Sequence, residues 1–132
     1  MSEIYKYQVH EDIFILSILK TEMFSLESAK EVLELRKKLF NNKPHFFVSD
    51  TTLELDDSTG VSMEVADFMN DKEVALLTKG VGVIAASSFK RFAVNAALML
   101  KRVDTPVKLF NNKKDAFYWI QKLKSKQFEK IS

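Results

Sequence analysis

Val81-Gly-Val-Ile-Ala-Ala-Ser-Ser88, a helical run over Phe89 to Val103, Thr105-Pro-Val-Lys-Leu-Phe-Asn-Asn112 and a second helical run to Ile120 and beyond make up the stretch that decides the fold. The run from Gly80 to Ala86 is continuously apolar, rich in β-branched residues and of strand length, as suits a strand buried on both faces. Ser87 and Ser88 can cap the next helix, because a hydroxyl satisfies a free first-turn N–H. Phe89, Phe92, Ala93, Ala96, Met99, Leu100 and Val103 recur at the helical period on one side. Lys101 and Arg102 fall in the last turn, where the helix dipole favours cations. Pro106 prevents continuation, and Val107 to Phe110 reads as a short strand. Asn112 caps the last helix, with Asp115 in its first turn and Ala116, Trp119, Ile120 and Leu123 as its buried stripe. A strand–helix–strand unit of this length implies parallel strands joined by a right-handed crossover.

Outward from this unit the pattern repeats. Tyr5, Tyr7 and Val9 alternate with Lys6, Gln8 and His10, as in a half-buried strand. Glu11-Asp12 is a tight turn, and Ile13 to Leu19 is a more buried partner strand, so the two form an antiparallel hairpin. Ser25 caps a helix whose inward side carries Ala29, Val32, Leu33, Leu39 and Phe40, with Glu27 complementing its N-terminus. Asn41-Asn42-Lys43-Pro44 stops it. His45 to Ser49 is a third strand, Asp50 to Gly60 is polar and irregular, and Val61 to Leu77 is helical, with Val61, Val65, Phe68, Met69 and Leu76 inward and Asn70-Asp71 as a point of division. The order is β-β-α-β-α-β-α-β-α. It predicts an α/β fold with a mixed five-stranded sheet, an N-terminal hairpin, parallel strands elsewhere and about four helices.

The 132 residues fit one domain spanning 1–132. Eleven phenylalanines make its core unusually aromatic. A net charge of +2, with basic residues interspersed among acids, gives no footprint for nucleic acid. With no cysteine there are no disulfides, thiolate metal sites or cysteine nucleophiles. Met1 to Lys6 lacks the apolar core of a signal peptide, and no apolar run approaches bilayer length. The expectation is a cytoplasmic protein without integral membrane association.

Two stretches carry candidate chemistry. Ser87-Ser88-Phe89-Lys90-Arg91 places two cations in the first turn of a helix, against its dipole. An anion on the free N–H groups, assisted by Lys90 and Arg91, relieves that conflict, as does simple extension of both side chains into water. Asp57-Ser58-Thr59-Gly60 precedes the Val61 helix, and Ser58 or Thr59 is an ordinary N-cap there. A phosphate added at this turn would sit near a helix N-terminus, although Glu54, Asp56 and Asp57 would repel it. His10 and His45, the only histidines, have no ligand spacing and read as surface or strand-end residues, and the Glu54, Asp56, Asp57 cluster lacks the spacing of a calcium loop. No metal and no cofactor are expected. No Ser-His-Asp order, phosphate-cradling glycine loop or dinucleotide fingerprint is present.

The element order, together with Pro106-Val-Lys-Leu-Phe-Asn-Asn-Lys-Lys-Asp-Ala-Phe-Tyr-Trp-Ile120, resembles the SpoIIAA-like fold of STAS domains and of a STAS/SEC14-type family of small bacterial proteins. The last helix is similar to that family's closing "Ala-x-x-Trp-hydrophobic" pattern. STAS anti-sigma-factor antagonists carry a phosphorylatable serine in an Asp-Ser-Ser/Thr-Gly turn, which Asp57-Ser58-Thr59-Gly60 matches, and Ser58 is the position that this resemblance implies. The match departs afterwards, with Val61-Ser62 where the family has Leu-Gly. The resemblance implies a non-enzymatic module that binds a protein partner, another copy of itself included, under phosphorylation control. The alternative is a carrier of a small apolar ligand or lipid on the same fold, with Phe46, Phe47, Phe68, Phe89, Phe92 and Phe117 around a cavity. Phe117 and Tyr118 flank the buried stripe of the last helix, so one of them faces the surface, where a homodimer would cover it.

Overall fold

The computed structural model describes residues 4–19, 24–50, 68, 71–84 and 105–131. Five strands, β1 (Tyr5–His10), β2 (Ile13–Ile18), β3 (His45–Asp50), β4 (Thr78–Ile84) and β5 (Val107–Phe110), form one sheet in the order β1-β2-β3-β4-β5. Only β1 and β2 are antiparallel; β2, β3, β4 and β5 run parallel. Three helices belong to the described residues: α1 (Leu26–Leu39), α2 (Lys72–Leu76) and α3 (Lys113–Ile131). This is the α/β class and mixed sheet expected. The helix count departs from about four, because the helix read at Phe89 to Val103 lies outside the described residues.

Side-chain alternation divides the sheet into two apolar faces. Phe14, Leu16, Ile18, Phe47 and Val81 pack with Phe24, Ala29 and Val32 under α1. Ile13, Ile15, Phe46, Val48 and Ile84 point the other way and pack with Ala116 and Ile120 of α3. Every residue of β2 is therefore buried, which is why its sequence shows no alternation. The edge strand β1 is covered on neither side over most of its length, and its residues alternate in type.

Local chemistry sets the boundaries. The hairpin turns at Glu11 with φ 55°. Ser25 Oγ accepts from the N–H of Ser28 while Ser28 Oγ accepts from the N–H of Ser25, a reciprocal capping box that starts α1. Asn41 and Asn42 adopt φ of 53° and 60°, the left-handed conformation that asparagine tolerates at a helix end. Asp71 caps α2 through the N–H of Glu73, so a helix does begin at the Asn70-Asp71 division. Asn112 Oδ1 accepts from the N–H of Asp115 at the start of α3.

The structure corrects two inward assignments and one outward one. Leu76 is 72% exposed, and Val74 and Leu77 carry the inner side of α2, packed on Leu33. The helix is so short that its rotational setting is decided by that contact and not by a long stripe. Leu39 is 43% exposed, because α1 unwinds at Phe40 and only Phe40 turns back onto the core. His45 heads β3 as a strand-end residue but is fully buried, not at the surface. β4 begins at Thr78, two polar residues ahead of the apolar run, because Thr78 pairs with His45. In α3 it is Tyr118 that faces outward, at 63% exposure, while Phe117 is half-buried.

Candidate functional site

In a sheet with parallel strands, ligands gather beyond the carboxyl ends of the strands, where loops meet and helices begin. Here those ends are Ile18, Asp50, Ile84 and Phe110. Asp50 is 1% exposed and lies on the α3 side of the sheet, where Lys113, the first residue of α3, brings Nζ to 3.7 Å from its Oδ2. α3 runs back across the sheet, and at the far end Lys124 pairs with Asp12 and Glu11. Ion pairs at both ends thus fix the helix along the strand direction, although the exposed ones contribute little energy.

Beside Lys113 an open cleft of about 260 Å³ is lined by Gln8, His10, Ile15, Lys113, Phe117 and Gln121. The hairpin supplies Gln8, His10 and Ile15 because these residues share the α3 face, and His10 meets Phe117 edge-on at 6.1 Å. Polar amides, an imidazole and an ammonium here surround one aromatic ring.

A second polar cluster occupies the amino ends of β3 and β4, on the α1 side. Arg36 is 3% exposed on the inner face of α1. Its Nε–H donates to Nε2 of His45 at 2.7 Å and its Nη2 to Oγ1 of Thr78 at 2.7 Å, while the guanidinium lies 4.6 Å from the centre of the Phe47 ring. Thr78 in turn donates to the carbonyl of Val74 at 2.6 Å. His45 Nδ1 lies 3.0 Å from the carbonyl of Lys43, and Phe40 stacks on the imidazole at 4.0 Å. An Nε2 that accepts from arginine leaves the proton on Nδ1, so His45 is the neutral Nδ1–H tautomer. Burial pulls its pKa down to about 4, and the neighbouring guanidinium acts in the same direction. Burial likewise lowers Arg36 to about 10, which leaves it charged at neutral pH.

The candidate residues read from the sequence lie elsewhere. Asp57, Ser58, Thr59 and Gly60, and Ser87, Ser88, Lys90 and Arg91, are outside the described residues. In the chain they belong to the connections that leave the carboxyl ends of β3 and β4 respectively. Arg36 escaped the sequence reading, although position 36 continues the spacing of Ala29, Val32 and Leu33 and so falls on an apolar stripe. No group of three His, Asp or Glu residues among the described residues is arranged to hold a metal ion. No helix among them is long and apolar enough to cross a membrane.

Residues 7–124 match the family described as Domain of unknown function (DUF7793). The chain belongs to the DUF7793 family. The matched residues take in the parallel strands β2 to β5, the Arg36–His45–Thr78 cluster and the residues that line the cleft beside Lys113. No curated protein matches the chain.

Proposed function

We propose that this DUF7793 chain is a non-enzymatic, cytoplasmic binding module of the SpoIIAA-like type, which acts through a protein partner and is switched by phosphorylation at Ser58. The observation that carries the reading is the sheet itself. Its hairpin is followed by parallel strands, the mixed sheet that the element order predicts and with which the resemblance to STAS domains is consistent, and the segment Asp57-Ser58-Thr59-Gly60 falls in sequence between β3 and α2. Tyr118 and Leu76, the most exposed large apolar side chains among the described residues, are compatible with contact surfaces for a partner or a second copy.

The carrier alternative has less support. The two small cavities beneath α1 and α2 are each about 20 Å³, room for a single water-sized species. Ligand sites for small molecules occupy roughly 300–1,000 Å³. Of the phenylalanines assigned there to a cavity lining, Phe46 is packed into the core under α3, Phe47 and Phe68 border these small cavities, and Phe89 and Phe92 lie outside the described residues.

The test is mass spectrometry of the protein from its native host, with crosslinked partners compared between wild type, Ser58→Ala and Ser58→Asp. A phosphate on Ser58 and a partner that separates the two variants would support the switch. Partner recovery indifferent to both substitutions would end it.

A further inference from the structure

Among the described residues Arg36 is a buried cation with no carboxylate in contact: its hydrogen-bond partners there are the neutral His45 and the hydroxyl of Thr78. The acids on neighbouring surfaces are engaged elsewhere, Glu34 and Glu73 both pairing with Lys37. Buried charges are normally compensated, because desolvation of an ion costs far more than dipoles of this kind return. The guanidinium has five N–H donors, and two are used by these bonds. Beside it lies a cavity of about 20 Å³, lined by Arg36, Phe47, Val74, Thr78, Val81 and Thr105, among others. Thr105 contributes a second buried hydroxyl. The rest of the described lining is apolar, so among the described residues the arginine and the threonines supply an occupant's hydrogen bonds.

From this geometry we infer that the cavity between Arg36, Thr78 and Thr105 binds a monovalent, halide-sized anion, chloride under ordinary conditions, as the counter-charge of Arg36. The size selects the class. The space is about 20 Å³ against the roughly 10–15 Å³ that one water requires, which suits an occupant of one heavy atom better than a four-oxygen anion. The chemistry selects the sign, because guanidinium N–H groups only donate. The Phe47 ring and the apolar residues of the described lining lower the local polarity, which strengthens an ion–guanidinium contact over its value at the surface.

The experiment uses the full chain crystallised with sodium bromide, with anomalous diffraction at the bromine edge. The expected result is a peak in hydrogen-bonding reach of the Arg36 guanidinium. Ordinary water density there, with bromide confined to surface lysines, would overturn the inference. In parallel, thermal unfolding is followed while sodium chloride replaces sodium gluconate at constant ionic strength. A site that binds the folded state alone raises Tm by about 4 °C per tenfold increase in chloride above its Kd. Arg36→Gln should remove that dependence. The same Tm for wild type in both salts would count against the site even if the variant does not fold.

Discussion

Arg36 donates its Nε–H to Nε2 of His45 across 2.7 Å, and both side chains are buried. The contact joins α1 to the first residue of β3. It fixes the imidazole as an acceptor, so a proton on Nε2 would remove the hydrogen bond and set two cations side by side.

That relationship makes stability depend on pH. In the unfolded chain His45 titrates near its ordinary 6.5, whereas in the fold its pKa is pushed down to about 4. The folded state thus favours the neutral ring, and the unfolded state binds more protons between these values. The stabilisation is complete above about pH 6.5 and is lost as the pH falls toward 4, with a total of roughly 3 kcal/mol for this residue. Urea unfolding of the wild type between pH 7.5 and 4.5 should show the loss. His45→Gln, which keeps an acceptor but does not titrate, should flatten that part of the curve. An imidazole NMR titration of His45 with a midpoint near 6.5 would contradict the assignment.

The helix that presents Arg36 starts at the Ser25–Ser28 capping box, and its strength can be measured. Ser25→Ala removes the acceptor for the Ser28 N–H and should lower stability by about 1 kcal/mol. Ser28→Ala, which removes the return bond to the Ser25 N–H and the contact between the two hydroxyls but keeps the Ser25 cap on the Ser28 N–H, should cost less. The comparison by chemical unfolding, with unchanged m-values, separates the two halves of the box.

On the opposite face, Ile120 is fully buried between α3 and the sheet, in the cluster that includes Ile13, Phe46 and Val48. Ile120→Ala should cost about 2–5 kcal/mol through lost burial and the cavity left behind. Tyr118→Ala, two positions away but 63% exposed, should change monomer stability by less than about 0.5 kcal/mol. If Tyr118 belongs to a partner surface, its effect appears in complex formation and not in the unfolding curve.

Much of this architecture was legible because its signals are local. The alternation of Tyr5, Tyr7 and Val9, the apolar run at Val81, the serine and asparagine caps and the Ala116–Ile120 spacing all report through residues close in sequence. What stayed hidden depends on distant partners. Thr78 joins β4 only because His45 of β3 offers it a neighbour. Leu76 is exposed because Leu33 captures Val74 and Leu77 instead. His45 is buried because α1 lays Phe40 and Arg36 over it. The polar cluster was missed for the same reason: an arginine on an apolar stripe reads as a solvated residue until the threonine and histidine that receive it, from β4 and β3, are known. The connections that carry Ser58 and Ser87 leave the sheet at its carboxyl ends, which is as far as the fold bears on them.

The same distance dependence separates two glycines that the sequence makes look equivalent. Gly80 and Gly82 both sit on the α3 side of β4. A Cβ on Gly80 would lie 3.0 Å from Leu123 Cδ1 and 3.3 Å from the Phe46 ring, whereas one on Gly82 would meet Ala116 Cβ at 3.5 Å, an ordinary contact. Gly82→Ala should therefore be neutral or stabilising by up to about 1 kcal/mol, since it restricts the unfolded chain without a clash. Gly80→Ala requires Leu123 to yield and should be neutral to mildly destabilising. Gly80→Val must displace helix or ring and should cost about 1–3 kcal/mol by overpacking. Unfolding midpoints for the three variants give the ranking Gly82→Ala above Gly80→Ala above Gly80→Val. A Gly80→Val protein as stable as wild type would mean that α3 does not approach β4 as closely as described.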